Sequence, residues 1–80
     1  MEIKVYLKTG CPWCIGLTNF LKEKGINYDE KNVTESPELF EEMVKLSGQS
    51  KAPVAIINGV MLADTDKDAV EKYLTENKLI

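Results

Sequence analysis

Two kinds of side chain alternate along the first residues of the chain. The apolar residues Ile3, Val5 and Leu7 alternate with Glu2, Lys4 and Tyr6. A period of two predicts a β-strand, with Tyr6 on the side opposite the apolar residues. The strand is expected to stop at Thr9-Gly10, because glycine commonly marks the start of a turn.

Helical spacing replaces this alternation from Cys11 onward. Lys22 to Lys24 close the segment with polar residues, and Gly25 supplies a C-terminal stop because glycine readily adopts the left-handed conformation that ends helices. The apolar side of the predicted helix is formed by Cys14, Leu17, Phe20 and Leu21.

The middle of the chain predicts a second strand and a second helix. Ile26 to Lys31 is typical of a short strand. Ser36 is expected to cap the helix and Pro37 to occupy its first turn, where a missing N–H costs no intrahelical bond. Gly48 ends this helix. Its predicted buried stripe is formed by Leu39, Phe40, Met43, Val44 and Leu46.

A hairpin and a last helix complete the predicted elements. Val54 to Ile57 and Val60 to Leu62 flank Asn58-Gly59, a pair that favours the positive φ angles of a type I′ turn. Asp64 or Thr65 is expected to cap the final helix. Its inner side is predicted to carry Ala69, Val70, Tyr73 and Leu74.

The order of elements is therefore β-α-β-α-β-β-α, which predicts an α/β fold. A strand–helix–strand unit requires a right-handed parallel crossover, whereas a hairpin must be antiparallel. A mixed four-stranded sheet flanked by three helices satisfies both rules. Eighty residues support one hydrophobic core, so we expect a single domain over residues 1–80.

Composition narrows the classes of function. The formal net charge is −3 and no basic run occurs, which argues against nucleic acid or an anionic membrane surface as a partner. No segment approaches the about 20 apolar residues of a membrane-spanning helix, and no secretory leader is recognisable, so we expect a cytoplasmic protein. The absence of histidine excludes a Ser-His-Asp or Cys-His catalytic arrangement, and no metal site is predicted.

The chemistry is concentrated in the pair Cys11 and Cys14, since two cysteines are too few for a disulfide scaffold. Cys11 falls at or beside the start of the first helix, and Pro12 suits the first helical position. Free N–H groups and the helix dipole stabilise a thiolate at Cys11, and Lys8 adds a positive charge nearby. We therefore expect Cys11 to be the nucleophile and the deeper Cys14 to be the resolving cysteine.

Trp13 lies between the two cysteines and has two interpretations. It can shield the sulfur from water and offer a flat surface to a substrate, or it can simply pack on the helix.

The segment Lys8 to Cys14, which contains Cys-Pro-Trp-Cys, resembles the dithiol glutaredoxin motif with tryptophan in place of the usual tyrosine. A second segment, Lys51-Ala52-Pro53, is similar to the Thr-Val-Pro segment of the same family. The resemblance covers nearly the whole chain and implies the thioredoxin-like glutaredoxin fold. It also implies a cis Pro53 lying against the cysteines, with the Ala52 backbone pairing with the substrate cysteine. The alternative is a trans proline that starts an edge strand.

The match is partial where glutaredoxins commonly carry Gly-Gly, because Ala63-Asp64 stands there, followed by Thr65-Asp66. The resemblance implies that Thr65 and Asp66 hold the γ-glutamyl end of glutathione and that Lys8 and Lys51 meet its glycyl carboxylate. The alternatives are an N-cap at Thr65, dipole compensation by Asp66 and solvated lysines.

Three functions follow from the resemblance. The first is a glutathione-dependent oxidoreductase that reduces protein or glutathione mixed disulfides, with glutathione as co-substrate and no permanently bound cofactor. The second is a redoxin that takes electrons from thioredoxin reductase and serves ribonucleotide reductase. The third is a dimer that binds an iron–sulfur cluster through Cys11 and glutathione. A monomer whose partners are glutathione, disulfide-containing proteins and a thioredoxin or glutathione reductase system is expected for the first two.

Overall fold

The computed structural model describes residues 2–80 and contains seven elements in the predicted order. They are β1 (Ile3–Leu7), α1 (Pro12–Glu23), β2 (Asp29–Asn32), α2 (Pro37–Ser47), β3 (Val54–Ile57), β4 (Val60–Leu62) and α3 (Lys67–Glu76). The sheet order is β2-β1-β3-β4, with β1 parallel to β2 and the other neighbours antiparallel. The predicted mixed four-stranded sheet is confirmed.

The second strand begins later than predicted, at Asp29 rather than Ile26. The cause is the end of α1, where Gly25 has a φ of 67° and its N–H donates to Lys22 O at 3.1 Å. The N–H of Ile26 donates to Leu21 O at 2.9 Å, so the chain completes a Schellman motif before it can pair with β1.

The core is divided by the sheet into two clusters. Residues of α1 and α3 pack on one face, and Met43 of α2 packs on the other. The first cluster consists of Ile3, Val5, Leu7, Cys14, Leu17, Phe20, Leu21, Ala55, Ile57, Val70 and Leu74, and the second of Tyr6, Val33, Met43 and Val54.

Tyr6 lies on the opposite face of the sheet from Ile3, Val5 and Leu7, as the alternation predicts, and its side chain is buried there in the second cluster. A strand in the middle of a sheet with helices on both faces buries both sets of its side chains. The Tyr6 hydroxyl reaches the rim of the cluster and donates to Glu42 Oε1 at 2.5 Å.

Two helices bury less than their patterns predicted. In α2 only Met43 is fully buried, and Leu46 is exposed. In α3 the buried residues are Val70 and Leu74, whereas Ala69 is exposed. Each of these helices covers one part of one sheet face, so a stripe as wide as predicted cannot be buried.

The predicted hairpin is confirmed. Asn58 and Gly59 have φ angles of 49° and 85°, the positive values that a type I′ turn requires. Asn58 also fastens the hairpin to the start of β1, because its N–H donates to Glu2 O at 2.8 Å and its Oδ1 accepts from Glu2 N at 2.8 Å.

Candidate active site

Cys11 is the N-cap residue of α1, with Pro12 in the first turn of the helix as predicted. The Cys11 backbone is extended, and its sulfur accepts a hydrogen bond from the Cys14 N–H at 3.2 Å. A sulfur in this position satisfies one of the N–H groups that a helix start leaves without a partner. The Cys14 N–H and the positive end of the helix dipole both point to the Cys11 sulfur.

The loop that presents Cys11 is fastened to the loop after β2. The N–H of Thr9 donates to Thr34 Oγ1 at 3.0 Å, and Asn32 Nδ2 donates to Thr9 Oγ1 at 3.1 Å. Gly10 has a φ of 76°, a left-handed conformation that glycine adopts without steric cost. The turn into α1 therefore has a defined path on both sides of the cysteine.

Cys14 lies one turn further along and is 2% exposed within the first core cluster. Burial, and then hydrogen bonding with Cys11, raises the pKa of Cys14 to about 12, although a backbone hydrogen bond from Lys8 acts in the opposite direction. Both cysteines are free thiols, Cys11 being half-buried. The pair thus combines an accessible sulfur with a buried one that stays protonated at neutral pH.

Lys8 lies close to this pair, and its ammonium group is engaged. Its Nζ donates to Ser50 O at 3.0 Å and lies 5.7 Å from the centre of the Phe40 ring. Lys8 therefore joins the loop before α1 to the loop before β3. Lys51 is exposed and its side chain extends from that second loop.

Trp13 is 67% exposed, which does not support the interpretation that it only packs on the helix. Its ring lines an open groove of about 270 Å³ between the starts of α1 and α3. The other lining residues are Pro12, Gly16, Asp66, Lys67 and Asp68. Pro12, one of the residues that line the groove, directly follows Cys11 in the chain.

The bond between Ala52 and Pro53 is cis, as predicted. Pro53 is fully buried, and Ala52 and Cys11 both pack against the first core cluster. The Pro53 carbonyl accepts from the Thr65 N–H at 3.0 Å, which connects this loop to the start of α3.

The start of α3 differs from the prediction, because the N-cap is Asp66 rather than Asp64 or Thr65. Asp66 Oδ1 accepts from the Ala69 N–H at 2.8 Å. Asp64 has a φ of 48°, so it adopts a conformation that glycine favours and aspartate tolerates. Thr65 is 7% exposed, and its Oγ1 has no hydrogen-bond partner among residues 2–80. An unpaired buried hydroxyl is costly and is a candidate ligand contact.

The predicted site residues lie in three segments, 8–14, 51–53 and 65–66. The hydrogen bonds from Lys8 to Ser50 and from Thr65 to Pro53 connect these parts of the chain. Sequence reasoning missed Gln49, whose side-chain amide binds the backbone of Lys51. The available signal was its spacing, since a side-chain amide two residues before a peptide group can form such a turn.

Across residues 2–80, no three His, Cys, Asp or Glu side chains are grouped so that they could hold a metal ion. Over the same residues, no helix has the length and apolar character needed to cross a bilayer.

The sequence model of the glutaredoxin family matches residues 3–62, which include both cysteines and the cis proline. The chain belongs to the glutaredoxin family. It is similar to a glutaredoxin-like protein of 8.6 kDa from the rubredoxin operon of Clostridium pasteurianum, with 36% identity over 90% of this chain and 96% of the relative.

Two solved structures are similar to this chain in fold. A glutaredoxin from Brucella melitensis is 29% identical with a TM-score of 0.72, covering 99% of this chain and 84% of its own. The glutaredoxin-like NrdH-redoxin from Escherichia coli, described as having a thioredoxin-like activity profile, has a TM-score of 0.73 at 22% identity, covering 90% and 93%. The fold is therefore thioredoxin-like, and the chain is a glutaredoxin-like redox protein with a Cys-X-X-Cys pair.

Proposed function

We propose that this protein is a glutathione-dependent oxidoreductase that reduces protein disulfides and glutathione mixed disulfides. The observation that carries the proposal is the Cys11 sulfur, held at the N-cap of α1 against the Cys14 N–H. A helix start stabilises a thiolate, and the thiolate is the form of cysteine that attacks disulfides. The chemistry needs only thiols, so the proposal includes no permanently bound cofactor.

The reaction begins when the Cys11 thiolate attacks one sulfur of a substrate disulfide R–S–S–R′. A bond forms between Cys11 and the R sulfur, the S–S bond breaks, and R′–S⁻ leaves and takes a proton from solvent. Cys14 then gives up its proton and attacks Cys11, which releases R–SH and leaves a Cys11–Cys14 disulfide. Two glutathione thiols reduce that disulfide and become glutathione disulfide, so two electrons pass from glutathione to the substrate.

When R is glutathione, a shorter route exists. A second glutathione thiolate attacks the mixed disulfide on Cys11, releases the Cys11 thiolate and forms glutathione disulfide directly. This route does not use Cys14. The two routes can therefore be separated by replacing Cys14 alone.

We place the glutathione molecule across the three segments of the site. The Ala52 backbone pairs with its cysteinyl unit beside Pro53, and Trp13 covers one side of the sulfur. Lys8 and Lys51 approach the glycyl carboxylate. Lys51 precedes Ala52 in the loop, and Lys8 binds the same loop at Ser50 O. Salt bridges of this exposed kind contribute modestly, so orientation is their main effect.

The γ-glutamyl end is placed at Thr65 and Asp66. The Thr65 N–H is used by Pro53, so the unpaired Thr65 hydroxyl is the group that would bind the ligand carboxylate. One Asp66 oxygen accepts from Ala69, which leaves the other for the ligand amine.

A glutathione-coupled turnover assay tests the proposal with a mixed disulfide of glutathione as substrate. We expect Cys11→Ser to abolish turnover and Cys14→Ser to keep it, since the shorter route needs only Cys11. Turnover by Cys11→Ser at the wild-type rate would contradict the proposed nucleophile. Absence of glutathione-dependent turnover by the wild type would contradict the choice of electron donor.

A second candidate is a redoxin reduced by thioredoxin reductase that supplies electrons to ribonucleotide reductase. Asp64 favours it, because this residue places a carboxylate beside the position proposed for the carboxylate of glutathione. The likeness to NrdH-redoxin is consistent with this candidate in fold. Thioredoxin reductase with NADPH, tested in place of glutathione, distinguishes the two: efficient reduction of the Cys11–Cys14 disulfide by that enzyme alone supports the second candidate.

We further propose that the protein acts as a monomer in the cytoplasm, where reducing conditions keep the dithiol available. Its partners are then glutathione and disulfide-containing proteins.

A further inference from the structure

Thr34 lies in the loop after β2, and its side chain binds the backbone just before Cys11. Its Oγ1 accepts from the Thr9 N–H at 3.0 Å. One residue earlier, the N–H of Val33 donates to Leu7 O at 2.9 Å, a backbone bond that extends the pairing of β1 with β2. The Thr34 hydroxyl thus continues, with a side chain, the bonds that join these two strands.

Asn32, the last residue of β2, binds both partners of this hydrogen bond. Its Oδ1 accepts from the Thr34 N–H at 2.9 Å, and its Nδ2 donates to Thr9 Oγ1 at 3.1 Å. Thr9 is therefore held through its N–H and through its hydroxyl, by residues 25 and 23 positions away in the chain. The position of Thr9 is thus set by a part of the chain that is distant in sequence.

The turn from Lys8 to Cys11 depends on this support, because its own hydrogen bond is long. The Cys11 N–H donates to Lys8 O at 3.4 Å, whereas such bonds usually measure about 2.7–3.2 Å. Gly10, the third residue of the turn, has a φ of 76°, and glycine has more conformations open to it than any other residue. The shorter bond from Thr9 to Thr34 therefore contributes more to holding the turn than the bond within it.

We propose that Thr34 is a positioning residue that holds Cys11 at the N-cap of α1 by binding Thr9. The Cys11 backbone has a φ of −83° and a ψ of 113°, the extended conformation in which its sulfur accepts from the Cys14 N–H at 3.2 Å. Because the turn ends at Cys11, a displacement of Thr9 also displaces the sulfur from this position. The inference rests on the proposed function, in which the attacking thiolate lies at this helix start.

Thr34→Val keeps the branched shape of the side chain but has no oxygen to accept from the Thr9 N–H. The loss of one hydrogen bond shifts the opening equilibrium of the turn, so the amide hydrogens of Thr9 and Cys14 should exchange with solvent about two- to tenfold faster, as measured by NMR. Thr34→Ser keeps the hydroxyl and should restore the wild-type rates. Faster exchange at Thr9 with an unchanged rate at Cys14 would overturn the role of Thr34, because the turn would then not hold the cap.

Alkylation of Cys11 by iodoacetamide at pH 7 tests whether the sulfur responds as well. Alkylation follows the population of the ordered turn rather than its opening equilibrium, so the expected fall in Thr34→Val is smaller, about twofold. Thr75→Val, the same substitution at an exposed position of α3, is the matched control and should react as the wild type does. A rate in Thr34→Val equal to or above that of the wild type would overturn the proposal, and so would an equal slowing in Thr34→Ser, which keeps the hydroxyl.

Turnover of a mixed disulfide of glutathione separates this role from a role in ligand binding. We expect kcat of Thr34→Val to fall by the same factor as its alkylation rate, with KM unchanged, because segments 51–53 and 65–66 are not altered. A change confined to KM would overturn the positioning role. Absence of wild-type turnover would overturn the proposed function instead, and the exchange and alkylation rates would then still decide whether Thr34 positions Cys11.

Discussion

The backbone N–H of Cys14 donates to the sulfur of Cys11 across 3.2 Å. Cys11 lies at the helix start, where its sulfur accepts this bond and faces the positive end of the helix dipole. Cys14 lies in the core, where removal from water favours the thiol and raises the pKa of Cys14 to about 12. A single helical turn thus separates a sulfur at the helix N-terminus from a sulfur in the core.

This difference predicts selective alkylation of the reduced protein. With limiting iodoacetamide at pH 7, Cys11 should be modified first and by at least about tenfold faster than Cys14, because only the thiolate reacts and Cys14 is also buried. Peptide mapping by mass spectrometry after digestion measures the two extents separately.

The raised pKa of Cys14 predicts how its alkylation rate depends on pH. Burial is the largest cause of the raised pKa of Cys14 and remains in Cys11→Ser, so the alkylation of Cys14 in that variant should stay slow at neutral and mildly alkaline pH and rise at higher pH. Urea-unfolded protein, in which both cysteines are solvated, serves as the control. Equal rates for the two cysteines in the folded state would contradict the assigned roles.

Local chemistry made much of the site predictable from sequence. Cys11 before Pro12 indicated a helix start, and Asn58-Gly59 indicated the hairpin turn, because each signal depends on backbone preferences within a few residues. The cis Pro53 came from the resemblance to a family, since residue types alone favour a trans bond.

Features that depend on distant parts of the chain were not predictable. The burial of Tyr6 depends on β1 being a central strand with helices on both faces. The N-cap of α3 lies at Asp66, and the Thr65 N–H donates to Pro53 O in a loop that is distant in sequence.

Asp66 has a structural role that can be separated from its proposed ligand contact. Asp66→Ala removes the hydrogen bond to the Ala69 N–H and should cost about 1 kcal/mol of unfolding free energy, as for other N-cap losses. Asp66→Asn keeps a good cap and should be close to the wild type in stability. Urea denaturation followed by circular dichroism measures both.

The same pair tests the ligand contact. If the Asp66 carboxylate binds the amine of glutathione, Asp66→Asn should weaken glutathione binding while remaining folded. Equal glutathione affinity in Asp66→Asn and wild type would contradict the ligand contact, and the N-cap of α3 would then be the role of Asp66.

Substitutions of Asp64 test whether its carboxylate weakens the binding of glutathione, the proposed electron donor. Asp64→Gly removes a carboxylate next to Thr65 and suits the positive φ of 48°, so glutathione affinity should rise by about two- to fivefold, as expected for one exposed like-charge contact. Asp64→Asn is the matched control, because asparagine also tolerates this conformation and only the charge is lost. Titration by NMR gives both affinities.

Salt tests whether the predicted gain in glutathione affinity is electrostatic. The gain in affinity should shrink at high ionic strength, since exposed charges are screened by salt. A gain seen only in Asp64→Gly and unaffected by salt would point to the backbone instead.

Tyr6 predicts how stability depends on alkaline pH. Burial, followed by its hydrogen bond to Glu42, raises the pKa of Tyr6 to about 12. In the unfolded chain a tyrosine titrates near pH 10, so above about pH 10 the unfolded state loses a proton that the folded state retains. Stability should therefore fall as the pH rises from about 10 to 12.

Tyr6→Phe removes this titration and should give a shallower decline, measured as the free energy of urea unfolding at pH 8, 9, 10 and 11. At neutral pH the variant should lose about 1 kcal/mol with the hydrogen bond. Glu42→Gln keeps a neutral acceptor for the Tyr6 hydroxyl, and its decline should lie between the other two. Cys14 titrates in the same direction in all three proteins, so it cancels from the comparison. Identical slopes in wild type and Tyr6→Phe would mean that the folded state gives the Tyr6 hydroxyl no preference for its neutral form.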